Sequence, residues 1–391
     1  MHPLQWAGRM AGRLFPRRND SWVNTALDLR AWPVVADGWH NSNTDLVEFG
    51  GLYYLAHAAS PYHVGSKLCR IVVREADHPR SRAWKPVAAI SVPGEDVRDP
   101  KFAVVGGRLF LYVLKNRGIV ADPYATALTT SVDGRRWTPL RDVEPAGWLF
   151  WRPKSPDGKD WFAPAYWHEH GVSALFRSTD GVNWRRVSTI CSGGGVDETA
   201  VEFLPGGDLL ATVRHEGYLG PFGHATGCTV LAVATRASGY RSWTRARDDT
   251  TRLDGPVLFS HAGRTYAIGR FQPKVGRVVN MPGSFLSRKR TSLFLVAGRS
   301  RSRLKLLRLT DLPSAGDTSY AGVVARDGYL YACYYTSPLE RDYCWFVGMF
   351  NPSHVFLASL SLESLERVAA GAEARVAAEA GAATEAGAEA G

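Results

Sequence analysis

Glu198 and Arg214, 16 positions apart, are the pair whose types and spacing most readily make a site. Between them Gly206-Gly207 breaks two runs of branched and apolar residues, which is the pattern of a hairpin. The outer ends of a hairpin return to one edge of the sheet, so this carboxylate and guanidinium are expected to face one pocket. The competing reading is a surface glutamate in a surface ion pair. Further upstream, Glu95-Asp96-Val97-Arg98-Asp99-Pro100-Lys101-Phe102 gathers acids at a strand entrance. Pro100 should hold Asp99 extended and aim its carboxyl along the strand, unless the segment is only a structural turn. Asp45, within His40-Asn41-Ser42-Asn43-Thr44-Asp45-Leu46, is a further carboxylate. Asp45 or Asp99 is of the right type to donate a proton in general acid catalysis.

The elements that must position these residues repeat along the chain. A Gly-bearing turn followed by an aromatic and branched run occurs at Gly50-Gly51, Gly106-Gly107, Asp157-Gly158, Gly206-Gly207, Ala262-Gly263 and Asp327-Gly328. The spacings between successive copies are 56, 51, 49, 56 and 65 residues. A second repeat keeps step with the first. Ser131-Val132-Asp133-Gly134-Arg135-Arg136-Trp137 and Ser178-Thr179-Asp180-Gly181-Val182-Asn183-Trp184 share the pattern S-x-D-G-x-x-W, and eroded copies end at Trp84 and Trp243. Ser and Asp close such a turn onto backbone amides, Gly takes the strained position, and Trp fills the gap to the next unit. About 50 residues with two hairpins make one four-stranded sheet, and six of them arranged radially make a six-bladed β-propeller, an all-β fold. A five-bladed ring with an appended sandwich is the alternative. Residues 1–35 form a basic lead-in that is expected to supply the closing strand, 36–367 the propeller, and 368–391 an Ala/Glu/Gly tail. That tail cannot build a core and should be disordered or transiently helical.

The S-x-D-G-x-x-W copies resemble the Asp boxes (BNR repeats) of the sialidase (neuraminidase) superfamily, one residue shorter than the usual form. Those boxes lie at the blade periphery, so they speak to fold and not to activity. The segment from Val196 to Arg214 is similar to the one in which that family places a Glu at the start of an inner strand and an Arg at the end of the next. Gly316-Asp317-Thr318-Ser319-Tyr320-Ala321-Gly322 resembles the segment that presents its nucleophilic Tyr. The resemblance implies that Tyr320 attacks the sugar, with Glu198 taking its proton, an exception to the two-carboxylate scheme of most glycosidases. Arg214 would grip an anionic or polar group, and Arg98, Arg270 (or Arg290), His40 and His57 would complete the substrate pocket. Asp99 or Asp45 would protonate the leaving oxygen.

Two features depart from the family. Its first-blade clamp arginine is replaced by the His40–Leu46 stretch, and the loop that should carry its acid reads His57-Ala58-Ala59-Ser60-Pro61-Tyr62-His63, without a carboxylate. The expected function is a retaining, exo-acting glycoside hydrolase. The alternatives are a furanosidase-type mechanism using Asp45, Asp99 and Glu198, and a glycan-binding propeller without catalysis.

Composition narrows the partners. The 391 residues carry 47 Lys and Arg against 37 Asp and Glu, a net +10. The positive residues are mostly scattered, with small groups at Arg13, Arg17 and Arg18 and at Arg288-Lys289-Arg290, so nucleic acid is not expected as partner; the resemblance implies a glycan. The five cysteines are widely spaced without a CxxC and read as reduced core thiols rather than a disulfide or zinc framework. No metal or organic cofactor is implied. No apolar run reaches the roughly 18 residues of a membrane span. Arg9, Arg13, Arg17 and Arg18 interrupt any signal-like stretch, which makes cytoplasmic residence the expectation. Oligomeric state is open.

Overall fold

Four of the six Gly-bearing phrases close as two-residue hairpin turns with positive φ at both central residues, as the computed structural model of the chain shows. These are Gly50 and Gly51 (59° and 78°), Gly106 and Gly107 (55° and 74°), Ala262 and Gly263 (47° and 74°), and Asp327 and Gly328 (50° and 75°). This geometry matches the right-handed twist of the strands it joins. The structure describes residues 25–389 apart from 121, 222, 225, 273–283 and 299. Arg9, Arg13, Arg17 and Arg18 therefore lie outside the described residues.

Each hairpin joins the two inner strands of one four-stranded antiparallel sheet, and six such sheets make a six-bladed propeller. The inner strands are His40–Phe49, Asp96–Val105, Trp148–Phe150, Val196–Phe203, Asp254–His261 and Thr318–Arg326. Adjacent blades make contact in turn around the ring, so that blade six (Thr318–Arg326) meets blade one (His40–Phe49). The ring is closed by the lead-in: Arg30–Val35 pairs with His354–Ser361 as the outermost strand of blade six. One sheet thus contains both ends of the propeller. Unravelling it would expose the apolar faces buried between blades, such as Leu330, Tyr334 and Phe356 against Tyr266, Leu293 and Leu295.

The S-x-D-G-x-x-W turns are tied as their side chains require. In blade two, Gly134 N donates to Ser131 Oγ at 2.8 Å, and Arg135 N and Arg136 N donate to Asp133 Oδ1 at 2.9 and 2.8 Å. Blade three repeats this with Ser178, Asp180 and Gly181. Each turn leans on the preceding blade: Tyr54 Oη donates to Asp133 O at 3.0 Å and Tyr112 Oη to Gly181 O at 2.5 Å. Ser155-Pro156-Asp157-Gly158-Lys159-Asp160-Trp161 forms the same turn at the inner hairpin of blade three. Its sequence fits the seven-residue pattern too, although its position in the period marks it only as a hairpin.

Blades six and one approach each other closely at the axis. A Cβ on Gly322 would lie 2.8 Å from the backbone carbon of Asp45 and nearer still to Leu46 N. Gly322→Ala is expected to force these inner strands apart at a cost of about 3 kcal/mol. Denaturant unfolding should show the lowered midpoint, and an unchanged midpoint would mean that the strands can part freely.

The C-terminal segment adopts the helical one of its two expected states. A helix spans Leu362–Glu389, and Leu365, Ala369 and Ala372 are buried on the blade five and six core. This corrects the expectation that nothing from 368 onward joins a core. Alanine's small side chain lets the helix lie close to the sheet, and Arg264 anchors it through Glu373 at 2.9 Å. Among the described residues, no helix is long and apolar enough to cross a membrane. Cys69, Cys191, Cys228 and Cys333 are buried free thiols, and Cys344 is half-buried.

Candidate active site

Five of the six inner strands carry a bulge at the same place. The register jumps between Ser42 and Asp45, Arg98 and Lys101, Val196 and Thr199, Asp254 and Val257, and Ser319 and Gly322. In each, three steps on the inner strand oppose two on its neighbour, so one extra residue is accommodated and side chains are re-aimed. The bulges supply Asn43, Asp99, Glu198, Gly255 and Tyr320. Asn43, Asp99, Gly255 and Tyr320 have φ of 49°, 53°, 59° and 53°. Asn and Asp tolerate the left-handed region, and Gly adopts it freely, but Tyr320 is held there at a cost of roughly 1–2 kcal/mol. Asp99 is thus left-handed, not extended as its place before Pro100 suggests, because the bulge overrides the local preference.

These residues, Gly255 excepted, line an axial cavity of about 320 Å³, together with Arg98, Arg214, Arg252, Arg270, Tyr166 and Trp345. Tyr320 Oη donates to Glu198 Oε1. The other oxygen, Glu198 Oε2, accepts from Gly255 N at 2.6 Å and faces Arg214 Nη1 at 3.1 Å. Gly255 also makes room for the nucleophile candidate: a Cβ there would lie 2.7 Å from Tyr320 Cδ2. Burial pushes the Glu198 carboxyl up to about 7; Arg214 opposes the rise, and Asp197 and Asp254 add to it. Burial, then the charges of Glu198 and Asp99, holds the Tyr320 hydroxyl well above its usual range. A phenol that resists ionisation beside a carboxylate titrating near neutrality is suited to passing its proton to that carboxylate as it reacts.

Glu198 accepts this proton only when ionised. Activity is therefore expected to fall with pH below about 7, tenfold per unit, as Glu198 protonates. A pH profile of kcat/KM would show this limb; a limb near the ordinary glutamate value would disconnect Glu198 from the proton transfer.

The cavity wall is cationic and tightly tied. Arg214 donates to both Asp197 oxygens, at 2.7 and 2.5 Å. Arg270 bonds Thr318 O at 2.7 Å and Tyr335 Oη at 2.8 Å, and pairs with Asp254 and Asp317. Arg98 forks onto Asp96 at 2.6 and 2.9 Å. Arg252 forks onto Asp254 at 2.7 Å through Nε and Nη2, which leaves its buried Nη1 without a partner. An unsatisfied buried guanidinium donor beside a cavity is a place for an oxygen of a ligand.

Three residues expected at the pocket lie elsewhere. Asp45 is fully buried at the axis, where it accepts from Leu46 N and Phe102 N at 2.8 and 2.7 Å and pairs with Arg152. Its oxygens are engaged there, and it is not among the residues that line the cavity. His57 packs inside blade one and accepts from Arg74 Nε at 3.2 Å; burial and then Arg74 push its imidazole down to about 3. His40 is buried behind the cavity wall, with Nδ1 on Asn351 O at 2.7 Å. Arg290, the alternative to Arg270, pairs with Asp342 at 2.9 Å. Tyr320, Glu198, Asp99, Arg214, Arg98 and Arg270 do share the cavity.

Sequence reasoning missed Arg252, Asn43, His63 and Trp345. Asn43 and Gly255 stand 56 residues before Asp99 and 57 after Glu198, so the hairpin period itself could have pointed to them. His63 stands on the loop without a carboxylate, and Trp345 in an insertion after the second strand of blade six, which carries no repeat signal. Among the described residues, two groups of three side chains could hold a cation: His40, His63 and Asp317, and His170, Asp197 and Glu216. In the second, Arg214 already occupies both oxygens of Asp197. A larger cavity of about 690 Å³ lies at the rim of blades three and four, lined by Arg177, Arg186, Arg236 and Tyr240. Arg177 there is bound to Asp160 at 3.0 Å, and no tyrosine–carboxylate pair is present among its lining residues.

No protein-family model matches the sequence, and no curated protein matches it significantly. Solved structures do resemble the fold. A protein of unknown function from Dyadobacter fermentans superposes with a TM-score of 0.62 at 13% identity, over 85% of this chain and 99% of that one. The sialidase of Trypanosoma rangeli, in complex with sialic acid, gives 0.55 at 13% identity, over 90% of this chain and 59% of its own. The NanB sialidase of Streptococcus pneumoniae gives 0.59 at 12% identity, over 84% and 70%. The chain has the sialidase-like six-bladed propeller fold, and at these identities the likeness extends to fold alone.

Proposed function

We propose that the chain is a retaining, exo-acting glycoside hydrolase that removes a terminal, acidic or strongly polar sugar. The observation that carries this reading is the hydrogen bond from Tyr320 to Glu198 at a cavity walled by arginines. Tyr320 Oη attacks the anomeric carbon while its proton moves to Glu198, and Asp99 protonates the departing oxygen. Water then displaces Tyr320 from the sugar with Asp99 as base, and the proton on Glu198 returns to the phenol. A phenol is a better partner for an anionic sugar than a carboxylate would be, because it brings no negative charge to the attack. Arg214, Arg270 and the free Nη1 of Arg252 hold the anionic group, and Asn43 orients Asp99 by donating to its Oδ1. The three-carboxylate alternative is weakened by the engagement of Asp45 with Arg152.

A panel of fluorogenic sialosides, uronides and arabinofuranosides tests the proposal. Turnover of an acidic pyranoside, with covalent labelling of Tyr320 by its fluorinated analogue, is the expected result. Absence of both turnover and labelling across the panel would favour a glycan-binding propeller without catalysis.

A further inference from the structure

We propose that His40, His63 and Asp317 form a site for a divalent transition-metal ion of the zinc class, where blade six meets blade one. His40 Nε2 lies 3.1 Å and His63 Nδ1 2.7 Å from the same oxygen, Asp317 Oδ2. All three atoms are buried, and their contacts are close enough for hydrogen bonds without having the geometry of well-formed ones. Three donor atoms gathered this closely, each able to offer a lone pair, are the arrangement that a shared cation would hold together. Ligands about 2.0–2.2 Å from a tetrahedral centre lie about 3.3–3.6 Å from one another, so an outward shift of roughly half an ångström, mostly at His63, would admit the ion.

The surroundings fix the donors in the form a metal needs. His40 Nδ1 is 2.7 Å from the Asn351 carbonyl and must carry a proton to bond it, which leaves Nε2 as the lone-pair nitrogen of the neutral ring. Asp317 Oδ1 accepts from Trp345 Nε1 at 2.8 Å and Tyr335 Oη at 2.9 Å, which orients the carboxylate and turns Oδ2 towards the histidines. Without a cation, the His40 lone pair and Oδ2 would face each other in a buried site. Protons are the competing occupants: one on His63 Nδ1, 2.7 Å from Oδ2, would pair with Asp317, and a second on His40 Nε2 would relieve the remaining contact.

The donor set selects the ion. Two imidazoles and one carboxylate suit zinc, cobalt or nickel, and are unsuited to calcium, which takes oxygen ligands. The positive charge of Arg270 near Oδ1 opposes binding, but Arg270 shares that charge with Asp254 at 3.2 Å. Three protein ligands leave an open coordination position. His63, whose side chain is 13% exposed and lines the cavity, is the cluster's link to solvent, so a fourth ligand enters from the cavity side. A water or a ligand oxygen would fill it. The site borders the cavity of the glycosidase reading through His63 and Arg270, but the proposal does not depend on that reading.

The test is titration of chelator-treated full-length protein with Zn²⁺ and with Co²⁺. One equivalent should bind at micromolar free metal, with visible d–d bands for Co²⁺ and a higher melting temperature with Zn²⁺. His63→Gln, at the more exposed ligand, should weaken binding at least 100-fold while melting as the metal-free wild type does. Asp317→Asn should do the same where it folds. Sub-stoichiometric binding by the wild type, or equal binding by His63→Gln, would overturn the proposal and leave a proton as the occupant.

Discussion

Tyr320→Phe is expected to lower kcat on the active glycoside by a factor on the order of 10³ to 10⁴ and to leave KM within a few-fold of wild type. The substitution removes the one atom that would bond to the sugar. The ring, which lies among Trp151, Tyr335 and the bare backbone of Gly255, keeps its place. The arginines that would hold the substrate are not in the hydrogen bond being deleted, so binding should persist while chemistry is lost. A second consequence distinguishes this role from a structural one. The Tyr320 hydroxyl helps to hold the Glu198 carboxyl down against burial, so its loss should push that group further up. The Glu198 carboxyl of Tyr320→Phe, followed directly by NMR titration, should therefore protonate at a higher pH than in the wild type. Wild-type turnover by Tyr320→Phe, or an unshifted Glu198 titration with covalent labelling retained, would remove Tyr320 from the mechanism.

The pairing of Tyr320 with Glu198 rests on the bulges, and here sequence and structure part company. The period of the Gly turns was legible because four of the six obey one geometric demand, positive φ at two successive residues, which Gly and its neighbours meet visibly in the sequence. The Ser-Asp-Gly turns were legible for a similar reason, since both side chains bond backbone within three residues. A bulge has no such local signature. Asn43, Asp99, Gly255 and Tyr320 share the first bulge position of their strands, Glu198 follows it by one residue in blade four, and they share almost no chemistry, so that only the register shift relates them. Arg252 escaped notice for the same reason: its value lies in an Nη1 left over after Asp254 has taken the rest of the guanidinium. The C-terminal helix was obscured by composition. Alanine and glutamate specify no core, yet alanine at 369 and 372 fits a shallow sheet surface where a larger residue would not.

Asp45→Ala is expected to cost about 3–5 kcal/mol of stability, the largest loss anticipated for a single polar side chain in this protein. Asp45 is a hub across the axis. It joins blade one to the Phe102 amide of blade two and to Arg152, which follows the inner strand of blade three and also donates to Ala321 O of blade six at 3.2 Å. Deleting the carboxylate leaves a largely buried guanidinium and two amides without their acceptor, and these costs fall on four blades at once. The double variant Asp45→Ala/Arg152→Met should recover much of the loss, since it removes the stranded charge along with its partner. Denaturant unfolding of the two variants measures the difference, and activity per folded molecule of the double variant should stay within a few-fold of wild type. The opposite pattern, an Asp45→Asn protein as stable as wild type but slowed 100-fold or more, would return Asp45 to the role of proton donor and take it from Asp99. Asp99, by contrast, is exposed to the cavity from a bulge and is held there by Asn43. Asp99→Asn should therefore lose activity without losing stability, the mirror image of the effect at Asp45.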